Sequence, residues 1–212
     1  MDKRFWLALL LVGCARATPT FTPTPKPPGA NLGTVVAFGD SLSAGMGLDE
    51  DDAYPAQLQR RLERDGFHCR VVNAGVSGET SSAALARVDW VMKLKPHLVI
   101  LETGANDGLR GLDPGGTEDN LNAIIGRFKH HQVKVLLAGM QTLDSMGKGY
   151  ADKFAAVYPR VASIQQIPLI PFFLEGVAGK SVLNEADGLH PNKEGYAKIV
   201  ERIAPQVENL LR

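Results

Sequence analysis

Four short polar blocks carry the residue types of nucleophilic acyl chemistry. Gly39-Asp40-Ser41-Leu42-Ser43 places a serine in a turn, and Asp187-Gly188-Leu189-His190-Pro191 sets a carboxylate three residues before an imidazole. Between them lie Asn73-Ala74-Gly75-Val76-Ser77-Gly78-Glu79-Thr80 and Glu102-Thr103-Gly104-Ala105-Asn106-Asp107-Gly108. Cleavage of an ester by a hydroxyl needs a nucleophile, oxyanion donors, and a base oriented by an acid. Each block alone has an ordinary reading. Asp and Ser bond their own backbone in turns, glycines near 75–78 form turns, Gly104 to Gly108 passes for a loop, and Asp187 with His190 suits a helix entry. Their joint occurrence, in this order, is what turn chemistry alone does not account for.

The elements that must position these blocks read as alternating strands and helices. Thr34 to Phe38, Cys69 to Val72, His97 to Leu101, Val133 to Ala138 and Pro168 to Phe172 are short apolar runs of the kind buried in parallel sheets. Tyr54, Leu58 and Leu62 recur every four residues behind Asp51 and Asp52; Ala84, Leu85, Val88, Val91 and Met92 share a helical face. Leu121, Ile124, Ile125 and Phe128 predict a helix capped by Thr117, residues about 150–165 a further helix, and Tyr196, Ile199, Val200, Ile203 and Val207 the last. The expectation is one three-layer α/β/α domain over residues 33–212 with a five-stranded parallel sheet. Ligands of such sheets bind outside the carboxyl ends of the strands, where all four blocks fall.

Composition removes several function classes. The chain has 212 residues, 23 basic and 23 acidic, with 7% aromatics, so no electrostatic footprint for nucleic acid exists. Two cysteines make no disulfide scaffold and no zinc spacing. Asp49-Glu50-Asp51-Asp52 reads as a solvated helix entry rather than a metal cluster. Gly45-Met46-Gly47 lacks the third glycine of a dinucleotide loop, so no cofactor and no metal are expected. Cys69, in its strand, reads as a small buried apolar residue.

Together the blocks resemble those of the SGNH (GDSL) hydrolases, above all the bacterial acyl-CoA thioesterase I / lysophospholipase L1 / arylesterase type. Gly39 to Gly45, Asn106-Asp107-Gly108-Leu109-Arg110-Gly111 and Asp187 to Asn192 carry the resemblance, with Ala86-Arg87, Tyr158-Pro159 and Ile170-Pro171-Phe172-Phe173. It covers almost all of residues 33–212 and implies the flavodoxin-like SGNH fold. Carried over, it makes Ser41 the nucleophile, Ser41, Gly78 and Asn106 the oxyanion hole, and Asp187 and His190 the rest of a triad. The chemistry agrees: serine needs an imidazole to take its proton. Of the five histidines, His68 and His97 begin strands and His130-His131 end a helix, which leaves His190. Asp187 can fix its tautomer. Ser43 occupies the last position of a Gly-x-Ser-x-Gly elbow, which argues against an α/β-hydrolase. A serine ester hydrolase acting through an acyl-enzyme on small-molecule or lipid esters or thioesters is therefore expected. The rivals are a carbohydrate O-deacetylase of the same superfamily and a catalytically silent envelope binding module. Leu109, Leu112, Leu143 and Met146, on segments flanking the catalytic edge, are candidates for an apolar acyl groove; residues 143–149 depart from the related type.

The first 32 residues read as targeting. Lys3 and Arg4 precede an apolar run from Phe5 to Val12, and Leu11-Val12-Gly13-Cys14 resembles a lipobox. Residues 1–13 are then a signal peptide, Cys14 the acylated first residue, and 14–32 a Pro/Thr-rich tether reaching about 3.1 Å per residue. An anchor in the bacterial outer membrane and a monomeric enzyme follow. The alternative is a soluble protein cleaved after Ala15-Arg16-Ala17.

Overall fold

The computed structural model describes residues 31–142 and 144–212, with no description of the Asp144 side chain. The signal peptide, Cys14, almost all of the tether, and Leu143 lie outside the described residues. Five parallel strands, β1 (Thr34–Gly39), β2 (Arg70–Gly75), β3 (Pro96–Glu102), β4 (Lys134–Ala138) and β5 (Leu169–Ile170), stand in the order β2-β1-β3-β4-β5. Among the described residues eight α-helices accompany them: α1 (Ser41–Ala44), α2 (Tyr54–Arg64), α3 (Ser81–Met92), α4 (Ala105–Leu109), α5 (Pro114–His130), α6 (Lys148–Ala155), α7 (Val157–Gln165) and α8 (Lys193–Leu211). Helices α2 and α8 pack together, as do α3, α5 and α7, so the sheet is covered on both faces.

Burial on both faces explains the uninterrupted apolar runs. Val35 to Phe38 and Leu98 to Leu101 are fully buried. Phe38 meets Phe128 of α5 edge-on, ring centroids 6.0 Å apart, tying the sheet to one layer. On the other side Tyr54 of α2 meets Phe173 at 5.2 Å. Each such side chain taken from water contributes about 1.5–3 kcal/mol.

The register places the site. Gly39 of β1 pairs with Gly75 of β2 and Glu102 of β3; Glu102 pairs with Ala138, and Ala138 with Ile170. The strands thus end in one row, and the loops leaving β1, β2 and β3 start side by side. The chain reverses direction along the sheet between β1 and β3, the switch point where α/β sheets bind ligands.

Local differences from the sequence expectation have local causes. Asn73 to Gly75 continue β2 instead of turning, because Gly75 lies against α1, where a Cβ would stand 2.1 Å from the Ala44 nitrogen. Helix α5 begins at Pro114, not behind Thr117: Pro114 needs no amide partner at the first helical position, and Thr117 is buried inside the helix, bonded to Asp107. The helix expected near 150–165 is two helices meeting at Ala156. The strand expected over 168–172 contributes only Leu169 and Ile170 to the sheet. Cys69 precedes β2 and is half-buried; burial raises its thiol pKa.

Candidate active site

Ser41 opens α1 directly after β1. Asp40 caps this one-turn helix, its Oδ1 accepting from the Leu42 N–H at 3.0 Å, and Gly45 closes it in the left-handed region. A first-turn residue carries a backbone N–H that its own helix cannot satisfy, so the Ser41 amide and hydroxyl are presented together. The Ser41 hydroxyl lies 2.8 Å from His190 Nε2, and His190 Nδ1 lies 2.6 Å from Asp187 Oδ2. Because the carboxylate can only accept, Nδ1 carries the proton and Nε2 is left to accept from Ser41.

Asp187 Oδ1 accepts from the backbone N–H groups of Leu189 at 2.9 Å and His190 at 3.0 Å. These bonds, the His190 backbone one first, hold its carboxyl down at about 2, so it stays ionised. The loop is tied at its base. The Glu185 N–H donates to the His190 carbonyl at 2.7 Å, and Asn184 Nδ2 donates to the Val177 and Lys180 carbonyls, both at 2.8 Å. Asn192 caps α8 by accepting from the Gly195 N–H at 3.0 Å. Gly195 must lack a Cβ, which would meet the Leu183 carbonyl at 2.1 Å.

Asn106 comes from the other side of the switch point, on α4. Its Nδ2 is 3.0 Å from the Glu79 carbonyl and 3.3 Å from Asp40 Oδ2. Both neighbours are acceptors, which fixes the amide with its nitrogen toward Asp40. Helix α4 is held by Asp107, buried and accepting from the Ser81 N–H at 2.8 Å, the Ser81 hydroxyl at 2.5 Å and the Thr117 hydroxyl at 3.2 Å. Gly78 adopts φ +78°, a conformation that disfavours a side chain although space is open, and its carbonyl accepts from Arg110 Nη2 at 2.8 Å. Behind it Arg87 grips Glu79 at 2.5 and 2.8 Å, which fixes the loop between β2 and α3.

A cleft of about 740 Å³ opens over these groups, within the range of small-molecule sites. Ser41, Gly78, Asn106 and His190 line it, with an apolar wall of Leu42, Met46, Leu109, Met140, Phe172, Leu174 and Leu189. Five sequence candidates are thus brought together, Leu109 among them, and Asp187 stands behind His190. Leu112 and Met146 are corrections to the expected groove, since neither is among the lining residues. The chain turns after α4, leaving Leu112 exposed, while the Met146 Cε stands 3.1 Å from where a Cβ on Gly111 would be. Met46, Met140, Phe172, Leu174 and Leu189 were outside the expectation, because the wall is assembled from loops far apart in sequence. Among the described residues, no group of three His, Cys, Asp or Glu side chains is arranged to hold a metal ion.

The model of the GDSL-like lipase/acylhydrolase family matches residues 37–198. The chain belongs to that family. Esterase TesA of Pseudomonas aeruginosa is 41% identical over 179 residues, covering 84% of this chain and 89% of its own length. Thioesterase 1/protease 1/lysophospholipase L1 of Escherichia coli is 37% identical, with 84% and 85% covered. Among solved structures, the psychrotrophic esterase EstA from Pseudoalteromonas sp., inhibited by monoethylphosphonate, superposes with a TM-score of 0.80 at 31% identity, covering 84% of this chain and 98% of its own. The chain is a serine ester hydrolase of the GDSL type.

Proposed function

We propose that Ser41 attacks the ester carbonyl, that His190 takes its proton under the orientation of Asp187, and that the Ser41 and Gly78 N–H groups with Asn106 Nδ2 hold the oxyanion. The observation carrying this reading is the continuous chain from Asp187 Oδ2 through His190 to the Ser41 hydroxyl, with steps of 2.6 and 2.8 Å. The long 3.3 Å contact from Asn106 to Asp40 is the weaker of its two bonds and the one an oxyanion takes over. Collapse of the tetrahedral intermediate expels the alcohol or thiol, protonated by His190, and leaves Ser41 acylated; water then repeats the sequence. A labelled fluorophosphonate tests the nucleophile, since EstA is known in a phosphonate-inhibited form. Peptide mapping should place the label on Ser41, and a label elsewhere overturns the assignment.

The cleft's apolar wall supports acyl groups of medium length. Each buried methylene contributes up to about 0.8 kcal/mol. Hexanoyl and octanoyl esters should therefore exceed acetyl esters in kcat/KM, and Leu109→Asp should erase most of the difference. An acetyl preference would instead favour deacetylation of a carbohydrate.

The similar proteins reported above are bacterial. The sequence supports residues 1–13 as a lipoprotein signal and Cys14 as the acylated residue, with the tether to residue 32 holding the 33–212 domain off an outer membrane. Among the described residues no helix is long and apolar enough to cross a membrane. Cys14→Ser should move the protein from the membrane to the soluble fraction; a soluble wild-type protein beginning at Thr18 would instead mean ordinary signal cleavage.

A further inference from the structure

Glu102 ends the central strand and is fully buried, in register with Gly39 on one side and Ala138 on the other. The space is kept for it. A Cβ on Gly39 would stand 2.4 Å from Glu102 Oε2 and 2.4 Å from the Ser43 hydroxyl. Oε2 accepts from Ser43 Oγ at 2.8 Å and from the Asp40 N–H at 3.3 Å, whereas the buried Oε1 receives no hydrogen bond. An ionised carboxylate with a bare oxygen in a dry site is costly; a neutral carboxyl avoids burying the charge.

Asp40 is the neighbouring carboxyl, and two carboxyl groups in one buried space do not both ionise. Burial first, then the Asp40 charge, lifts Glu102 well above the usual carboxylate range; burial lifts Asp40 to about 6. The rise is the larger at Glu102, so the proton sits on Glu102 and the charge on Asp40. Tyr54 from α2, Tyr158 from α7 and Tyr196 from α8 face the pair and are themselves kept neutral by burial, and His190 acts on Asp40 from the cleft. Ser43 is braced in turn by the Tyr54 hydroxyl at 3.3 Å.

The bonds lead outward to the reacting groups. Asp40 Oδ1 holds the Leu42 N–H, and Oδ2 faces Asn106 Nδ2. We propose that Glu102 is a positioning residue: its neutral carboxyl clamps Asp40 and Ser43 on either side of Ser41 and, through Asp40, sets the Asn106 amide at the oxyanion hole. This rests on Asn106 serving the oxyanion. Neutrality is part of the function, because a second negative charge beneath the hole would oppose the charge that develops there.

The test compares Glu102→Gln, Glu102→Leu, Ser43→Ala and Asn106→Ala for kcat and KM on an aryl hexanoate, with infrared spectra at pH 7. Gln can accept from Ser43 and the Asp40 N–H and never ionises, so it should keep a near-wild-type kcat. Leu should lose about 10²-fold in kcat with KM unchanged, the scale of a small misplacement of reacting groups. Ser43→Ala should lower kcat in the same sense by less. The infrared spectrum of the wild type should show a protonated-carboxyl band that Glu102→Gln lacks. The clamp is overturned if Gln is as slow as Leu, if Leu or Ser43→Ala has the wild-type kcat, or if no carboxyl band disappears in Gln. Should Leu fail to fold, the Gln and Ser43→Ala measurements decide. A normal kcat in Asn106→Ala overturns the oxyanion assignment instead, whereas a slow Asn106→Ala beside a fast Glu102→Leu overturns only the clamp.

Discussion

Ser41→Ala should reduce kcat on any ester by a factor on the order of 10⁶, the scale on which a serine nucleophile and its imidazole act as one unit. In the proposed mechanism the hydroxyl that His190 deprotonates is then gone, and no acyl-enzyme can form. The fold should survive. Ser41 bonds His190 through its side chain, and the backbone contacts that build α1, from the Ala44 N–H to the Asp40 carbonyl at 2.9 Å and from the Gly45 N–H to the Ser41 carbonyl at 3.0 Å, do not involve the hydroxyl. Thermal unfolding should therefore shift by only a few degrees. Steady-state kinetics and circular dichroism on the same preparation check both halves. Full activity in Ser41→Ala would move the nucleophile elsewhere; a wild-type protein that neither turns over esters nor takes a fluorophosphonate label would restore the silent binding module.

Asn106→Ala should lower kcat by about 10²–10³, roughly 2.7–4 kcal/mol of transition-state stabilisation, with little change in KM. In the proposed oxyanion hole the amide is the side-chain donor, and the Ser41 and Gly78 N–H groups remain, so the loss is partial. Under the proposed function, substrate binding draws on the apolar wall of the cleft rather than on this amide, which is why KM should hold. The Glu79 carbonyl and Asp40 Oδ2 each lose a donor. A modest fall in stability is therefore expected, and the kinetics should be measured well below the unfolding temperature. An equal rise in KM with constant kcat would assign Asn106 to ground-state binding.

The ordering of strands and helices was legible because the signals are local. An apolar run such as Leu98 to Leu101 can be buried only on both faces, and the glycine-rich polar blocks at the ends of β1, β2 and β3 mark where the apolar runs stop. The pairing of Asp187 with His190 was legible for the same reason: the two are three residues apart, so their bond is made within one loop. Glu102 also left a trace, as an ionisable residue closing the apolar run Leu98 to Leu101. Errors arose where local chemistry had two outcomes. Pro114-Gly115-Gly116 carries turn residues yet opens α5, since α5 packs against α3 and α7 and that packing outweighs its propensity.

What joins Ser41 to His190, 149 residues later, and Glu102 to Ser43, 59 residues earlier, is the strand order and register. The sequence by itself determined which residues could be nucleophile, base and acid, and that strand ends would carry them. Tertiary structure alone decided that Leu109 lines the cleft while Leu112 and Met146 do not, and that Met46, Met140, Phe172, Leu174 and Leu189 do. It also decided that Glu102 lies beneath Asp40 with no donor to its Oε1. Side-chain periodicity reports only which face of an element is apolar; which distant element meets that face depends on the row in which Gly75, Gly39, Glu102, Ala138 and Ile170 align.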